Sequence, residues 1–174
     1  MILLEDTRQQ AGKHDIKHKW FEEHGIEIRR CRLYAGDYTL PTNQSVCIDT
    51  KKDIGELIQD LQTDHDRFRN ELLRAQEAGI KLFILVENDF HWISRTKNIF
   101  NNPVSKIEDL FSWKNPRAFI FKGGKQAYPN CAKGSWIAKT CMTMEKKYGC
   151  KFVFCKPEES AETIIRILEG RYEL

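Results

Sequence analysis

The stretch that decides the fold is Gly36–Glu56, which reads GDYTLPTNQSVCIDTKKDIGE. Its later part is a short apolar run, Val46-Cys47-Ile48, that ends in Asp49-Thr50-Lys51, and this pattern predicts a strand. Because successive side chains of a strand point to opposite faces, Asp49 and Lys51 share one face, and Val46 and Ile48 share the other. We therefore expect Val46 and Ile48 to enter a core, while Asp49 and Lys51 converge outside it.

A second acid, Asp37, opens the same stretch after a glycine that suits a tight turn. A hairpin through Pro41-Thr42-Asn43 would return Asp37 to a position beside Asp49. Metal-assisted phosphodiester hydrolysis uses carboxylates to hold Mg²⁺ or Mn²⁺, and Lys51 can orient the attacking water or neutralise charge on the phosphate. A solvated strand end also carries the acid-x-lysine triplet by chance, and this alternative stays open.

Outside this stretch the chain alternates strand and helix patterns. Residues 2–4 and 26–33 read as strands, and residues 81–86 read as a central strand buried on both faces. Helices are expected over about residues 13–24 and 53–78. The order predicts an α/β fold with a mixed sheet flanked by helices.

The second half of the chain predicts a short strand over residues 117–121, a helix closed by Gly149, a strand over 152–154 and a terminal helix. No internal repeat or low-complexity linker separates the two halves. We therefore predict one domain over residues 1–174, in which a catalytic core covers about 1–90. A helix–strand–helix extension is expected over about residues 115–174.

Composition is that of an ordinary globular protein, with 30% charged and 41% hydrophobic residues in 174. The net charge of +3 neither supports nor excludes a nucleic-acid partner. No apolar run approaches the ~20 residues of a membrane span. The expectation is a cytoplasmic protein that makes no membrane contact.

Six cysteines and a histidine pair raise the question of a zinc site. No pair of cysteines has the C-x-x-C spacing of common zinc sites, so zinc is unlikely and buried free thiols are expected. His14 and His18 lie four residues apart on the first predicted helix, but a solvated helix face is the favoured interpretation. The cysteines are Cys31, Cys47, Cys131, Cys141, Cys150 and Cys155.

Basic residues in two regions are candidates for DNA contact. On the helix predicted over residues 53–78, Arg67, Arg69 and Arg74 can follow a phosphate backbone, or they can pair with neighbouring acids such as Glu71. Further along the chain, aromatic and basic residues mix as they do in loops that bind single strands or junctions, although a buried tryptophan anchor explains them equally well. These later residues are His91, Trp92, Arg95, Lys97 and Trp113.

Several ordered segments resemble the nuclease domain of the XPF-type endonucleases. They are Asp6-Thr7-Arg8-Gln9, Gly36-Asp37-Tyr38, Ile48-Asp49-Thr50-Lys51 and Arg67-Phe68, followed by the strand over residues 82–87. That family belongs to the PD-(D/E)XK nuclease superfamily, and this chain resembles the compact versions that phages and prophages encode. The resemblance implies a restriction-endonuclease-like core that cuts branched or flapped DNA with magnesium or manganese.

The resemblance also implies roles for individual residues. Asp37 and Asp49 would ligate the metal, the carbonyl of Thr50 would complete its shell, and Lys51 would assist the attacking water. Asp6 matches the family's first acid, and Arg8 matches its basic neighbour.

This chain departs from the family pattern at two points. Asp49-Thr50-Lys51 replaces the usual glutamate-arginine-lysine. The family has an acid four positions past the lysine, where this chain has Gly55, and Glu56 is the residue that we favour for that role.

Two functions remain after these observations. The first is a Mg²⁺- or Mn²⁺-dependent DNA endonuclease acting on branched DNA or on junctions of single strand and duplex, in a bacterial or phage-infected cell. The second is a non-catalytic DNA-binding module or an inactive partner subunit, which the altered triplet favours. A zinc-held interaction domain is a weaker third hypothesis, and a homodimer stays open. The catalytic residues of the first hypothesis are Asp6, Asp37, Asp49, Lys51 and Glu56.

Overall fold

Six strands form one mixed sheet in the structure, a computed structural model that describes residues 1–8, 15–88, 91–93 and 99–173. The sheet strands are β1 (Ile2–Asp6), β2 (Glu27–Cys31), β3 (Tyr38–Leu40), β4 (Asn43–Lys51), β5 (Lys81–Glu87) and, further along, β10 (Lys151–Cys155). Two small hairpins add β6 (His91–Ile93) with β7 (Ile99–Asn101), and β8 (Phe121–Lys122) with β9 (Lys125–Gln126). The helices are α1 (Asp15–Glu23), α2 (Ile54–Gln62), α3 (His65–Glu77), α4 (Gly134–Tyr148) and α5 (Ser160–Leu168).

The sheet has the strand order β10-β5-β4-β3-β1-β2. β4 and β5 run parallel, with Lys51 beside Val86. β3 runs antiparallel to both β4 and β1, so the predicted hairpin around residues 41–43 is confirmed. The predicted α/β fold with a mixed sheet flanked by helices is also confirmed.

Each face of the sheet carries its own hydrophobic cluster. On one face, Cys47 and Leu82 pack with residues of α2, α3 and α4 such as Leu57. On the other face, Ile48 and Leu85 pack with residues of α1 and α5. The strict alternation of β4 therefore decides which of its residues lie beneath α2 and α3.

The C-terminal part of the chain belongs to the same sheet. β10 pairs in parallel with β5, where Val153 lies beside Leu85, and α5 packs against α1. The predicted helix–strand–helix order of this part is present as α4, β10 and α5. Gly149 closes α4 with a left-handed φ of 70°, as its sequence position indicated.

One long helix was expected over residues 53–78, and this prediction is wrong because α2 and α3 are separate helices. α2 ends at Gln62, and the amides of Thr63 and Asp64 both donate to the carbonyl of Gln59. No apolar residue between Leu61 and Phe68 continues a single stripe across this turn. The break allows α3 to fold back over the end of β4.

Two further predictions need correction. The strand expected over residues 117–121 does not form, because Asn115 accepts a hydrogen bond from the Arg117 amide and begins a 3-10 turn at Pro116–Phe119; of the expected range, Phe121 lies in a strand, as the first residue of β8. Asp49 and Lys51 do not lie outside the core, because α2 and α3 cover them and leave only 6% and 7% of each exposed.

Some sequence predictions fall outside the described residues. These are Gln9, His14, Arg95 and Lys97, together with the side chains of His91 and Trp92. Trp113 lies within the described residues and is only 9% exposed, which agrees with the alternative of a buried tryptophan anchor. Within the described ranges, none of the helices has the length and apolar character needed to cross a membrane.

Candidate active site

The turn before β3 fixes the first carboxylate. Gly36 has a φ of 70°, and a Cβ at this position would lie 2.7 Å from the backbone oxygen of Ile48. The next amide, that of Asp37, donates to the same oxygen at 2.6 Å. Glycine at position 36 thus allows the close approach that brings Asp37 against β4.

The side chain of Asp37 is held at the end of β4. Its Oδ2 accepts hydrogen bonds from the amide and from the hydroxyl of Thr50, each at 2.7 Å. The amide and hydroxyl of Thr50 therefore orient Asp37, while the role expected for the Thr50 carbonyl stays a prediction. Asp37 and Asp49 line the same cavity of about 670 Å³.

Asp49 is the most perturbed acid of this cavity. Burial raises its pKa well above the ordinary value, and the charges of Asp37 and Glu71 raise it further, against the opposing effect of Lys51. Burial and the neighbouring carboxylates both disfavour the ionised form of Asp49, and Lys51 offsets them only in part. The cavity therefore favours a proton or a cation beside Asp49.

Lys51 is enclosed by two acids. Its Nζ lies 2.7 Å from Oδ2 of Asp49 and 2.6 Å from Oδ2 of Asp60, and it stands 5.2 Å from the ring centre of Phe68. Burial by itself would lower the pKa of Lys51, but Asp49 and Asp60 raise it above its ordinary value. Lys51 therefore stays an ammonium and serves as a fixed positive charge rather than as a general base.

Asp60 escaped the sequence analysis although it is 2% exposed and lies at the centre of the cavity. It sits one turn after Glu56, among the buried residues Leu57 and Leu61 of α2. The sequence does contain a signal that could have identified Asp60, because a carboxylate on the apolar face of a helix is unusual.

Glu56, the acid favoured from the sequence, lies at the rim of the cavity. Its carboxylate accepts a hydrogen bond from the Lys52 amide at 2.8 Å, and its own amide donates to Asp53. It thus helps to begin α2. Its catalytic role stays a prediction.

Glu71 is the second acid that the sequence analysis missed as a site residue. It was noted only as a partner for arginines, yet it lines the cavity and accepts a hydrogen bond from the Gly36 amide at 3.1 Å. Because α3 folds back over β4, Glu71 faces the turn that carries Asp37. No local sequence pattern reports this long-range contact.

Asp6 and Arg8 form a fixed pair at the end of β1. Asp6 is 1% exposed and accepts the Arg8 amide at 2.7 Å, the Arg8 Nη2 at 2.5 Å and the Leu33 amide at 3.1 Å. Burial acts to raise the pKa of Asp6, but the hydrogen bonds from Arg8 and Leu33 hold it below its ordinary value. Asp6 is thereby occupied in positioning Arg8, which lines the cavity.

The three arginines of α3 face different surroundings. Arg67 lines the cavity and reaches Asp60 at 3.0 Å. Arg69 lies in a second cavity with Lys139 and Lys147, and Arg74 is exposed. Only Arg67 is therefore brought to the acids of the site, while DNA contact by all three stays a prediction.

The site has oxygen donors suited to magnesium or manganese. Within the described ranges, no three histidine, cysteine, aspartate or glutamate side chains converge closely enough to hold an ion. Asp37, Asp49 and Glu71 nevertheless line one cavity, and the buried Oδ2 of Asp49 has an ion pair but no hydrogen bond. Hard carboxylate oxygens with unmet negative charge fit such a cation.

The cysteines are free thiols, and four of them are buried, as the sequence predicted. Burial raises the pKa of Cys47, Cys141, Cys150 and Cys155, to about 12 for the last two. Of the histidine pair, His18 is described, and its Nε2 lies 2.7 Å from Oε1 of the buried Glu5.

Comparisons with known proteins identify the family and the fold. The family model described as the ERCC4 domain matches residues 6–167, which extends the sequence resemblance through most of the chain. A solved structure of XPF from Aeropyrum pernix has a TM-score of 0.60 and 14% identity, and covers 98% of this chain. Another, of the same protein in complex with DNA, has a TM-score of 0.60 and 15% identity, and covers 97%. No curated protein matches significantly.

At these identities the solved structures show a shared fold. The chain spans 64% of the length of either XPF chain.

Proposed function

Because this chain belongs to the ERCC4 domain family, a family of structure-specific DNA nucleases, we propose that it is a metal-dependent DNA endonuclease. It would hydrolyse phosphodiester bonds in branched, flapped or junction DNA. The observation that carries this proposal is one cavity in which Asp37, Asp49 and Lys51 meet. These are the groups needed to hold a cation and to balance charge on a phosphate.

Asp37, Asp49 and Glu71 would hold the Mg²⁺ or Mn²⁺ ion, with the Thr50 carbonyl as a further ligand. When bound, the ion supplies Lewis-acid polarisation of the phosphoryl oxygen and acidifies its water. Thr50 holds Asp37 through two hydrogen bonds, so this carboxylate enters the site already oriented. Glu71 is anchored to the Gly36 amide, which ties α3 to the same turn.

Lys51 supplies a permanent positive charge beside the reacting phosphate. Asp60 fixes its position from α2, and Arg67 in turn compensates Asp60. Such preorganised charge costs no reorganisation during the reaction. In this mechanism Lys51 stabilises the phosphate and orients water, and it removes no proton.

Arg8, which lines the cavity, would contact a phosphate of the substrate. Asp6 holds the guanidinium in place and is itself screened from solvent. We assign Asp6 a positioning role and Arg8 a binding role. Glu56 stays at the rim, where it stabilises the start of α2 next to the bound strand.

A basic surface beyond the cavity suits the phosphate backbone of duplex DNA. It is formed by α3 and α4 and contains Arg69, Lys139 and Lys147. Among the described residues that line this surface, none is acidic. One matching XPF structure is a complex with DNA, which supports DNA as the partner. Arg74 would extend the contact along the exposed side of α3.

Cleavage assays with labelled flap, fork, Holliday-junction and linear DNA test this proposal, with manganese or with chelator. We expect manganese-dependent cutting of branched DNA that Asp37→Ala abolishes without loss of DNA binding. Glu77→Gln is the matched control, because Glu77 is an exposed acid of α3 outside the cavity and this variant should cut normally. Equal cutting by Asp37→Ala would contradict the assignment.

The second candidate is a non-catalytic DNA-binding module or an inactive partner subunit. The closed Asp49–Lys51–Asp60 cluster favours it, together with the lack of three converged ligands in the described part of the chain. DNA binding without cleavage in any metal would select this candidate. A homodimer and a location in a bacterial or phage-infected cell stay predictions.

A further inference from the structure

A second large cleft opens beside α2, on the side away from the active-site cavity. It has a volume of about 790 Å³ and lies between α2 and the segment over residues 113–132. Ile54 and Ile58 of α2 form one wall, while Trp113 and Tyr128 contribute to the other. We call it the α2 cleft.

Asn88 places an unpaired hydrogen-bond donor in this cleft. The residue is 6% exposed, and its Nδ2 is buried without a hydrogen-bond partner among the described residues. The other buried asparagines of the cleft are satisfied: Asn102 bonds both backbone groups of Lys114, and Asn115 bonds the Ala132 carbonyl and the Arg117 amide. A lone unmet donor in a cleft wall is unusual and indicates a missing acceptor.

An aromatic surface lies at the mouth of the same cleft. The side chain of Tyr128 is exposed, and the guanidinium of Arg117 lies 5.7 Å from its ring centre. Among the described lining residues the cleft has one acid, Asp53, and one cation, Arg117. This near-neutral lining suits an uncharged planar group better than a phosphate.

The α2 cleft and the active-site cavity flank the same two elements. At the end of β5, Glu87 lines the active-site cavity and the next residue, Asn88, lines the cleft. At the start of α2, Asp53 lines the cleft and Glu56 lines the cavity. The two sites are therefore separated only by α2 and the end of β5.

We propose that the α2 cleft binds one unpaired nucleobase of the DNA substrate, a proposal that rests on the nuclease function above. The Nδ2 of Asn88 donates a hydrogen bond to a carbonyl oxygen or ring nitrogen of the base. Tyr128 stacks on its face, with Arg117 behind the ring. The cleft thereby requires an unpaired nucleotide near the cut, which explains a preference for branched DNA over continuous duplex.

A scan with abasic sites tests the proposal in flap DNA, with Ca²⁺ replacing manganese so that no cutting occurs. Removing the base at one position near the junction should weaken wild-type binding by about fivefold or more, the usual range for a stacked base. The same removal should change binding by Tyr128→Ala or Asn88→Leu by less than about twofold. Trp136→Ala, an exposed aromatic of α4 outside the cleft, should keep the wild-type profile.

A second readout needs no DNA binding. Each of the four deoxynucleosides, which carry no phosphate, is titrated while the side-chain amide resonances of Asn88 are followed by NMR. A saturable shift with at least one nucleoside, reduced in Tyr128→Ala, supports the subsite even if the protein binds no DNA. Wild-type DNA binding with a flat abasic scan and no nucleoside shift overturns the subsite and leaves the nuclease proposal standing. Absence of both DNA binding and nucleoside shifts overturns both.

Discussion

Replacing Lys51 by methionine removes the only cation within ion-pair distance of Asp49 in the described structure and leaves two buried carboxylates facing each other. Removing one partner of a buried ion pair costs about 3–5 kcal/mol, because the remaining charge is uncompensated. In a domain of this size each kcal/mol lowers Tm by roughly 2–4 °C, so we expect a decrease of ~6–20 °C. Arg67 still compensates Asp60, which places the variant in the lower half of that range.

The variant should also acquire a characteristic pH dependence. Without Lys51, the folded-state pKa of Asp49 rises further above its unfolded value, so the folded state takes up protons as pH falls. The loss of stability of the variant relative to the wild type is therefore larger at pH 8 than at pH 5. Thermal melts in chelator at both pH values measure it, with Lys52→Met as the control because Lys52 is exposed. A deficit under about 1 kcal/mol, or one that does not change with pH, would refute the buried-charge account.

Three further substitutions test the surroundings of the site. Asp49→Asn should raise Tm in chelator at neutral pH, because Asp60 still pairs with Lys51, while the ionised Asp49, whose folded-state pKa is raised, is replaced by an amide that cannot ionise; a lower Tm contradicts this. Asp6→Asn should free Arg8 and weaken binding of uncut flap DNA by about tenfold, measured by anisotropy, because one charge-assisted contact is worth about 1.5–3 kcal/mol. Gly36→Ala should lower cleavage at least tenfold by forcing Asp37 away from β4, and unchanged kcat would show that the turn has no such role.

Local patterns predicted the elements that depend on neighbouring residues. The alternation in β4, the hairpin that returns Asp37 and the glycine that closes α4 all appear in the structure. The same alternation placed Asp49 and Lys51 on one face. Each of these features is decided by turn chemistry or by strand periodicity, which the sequence displays directly.

The missed features depend on how α2 and α3 are placed. Hydrophobic spacing alone could not show that α3 folds back over β4. For this reason the sequence did not predict the burial of Lys51 or the contact of Glu71 with the turn at Gly36. Asp60 was more accessible to prediction, since it interrupts the apolar face of α2. A charged residue inside a helical apolar stripe warrants consideration as a site residue before the half-buried acid one turn away.

The measurement that tests the central claim most directly is a Mn²⁺ titration followed by electron paramagnetic resonance of the free ion, in the absence of DNA. The account predicts a Mn²⁺ site on the wild-type chain whose affinity rises as pH passes the pKa of Asp49. In Asp37→Asn and Glu71→Gln that affinity should fall by at least about tenfold, as it does on loss of a metal contact. Glu77→Gln, which changes an exposed acid of α3 outside the cavity, should bind as the wild type does. Equal Mn²⁺ binding by Asp37→Asn, Glu71→Gln and the wild type would contradict the proposed metal site.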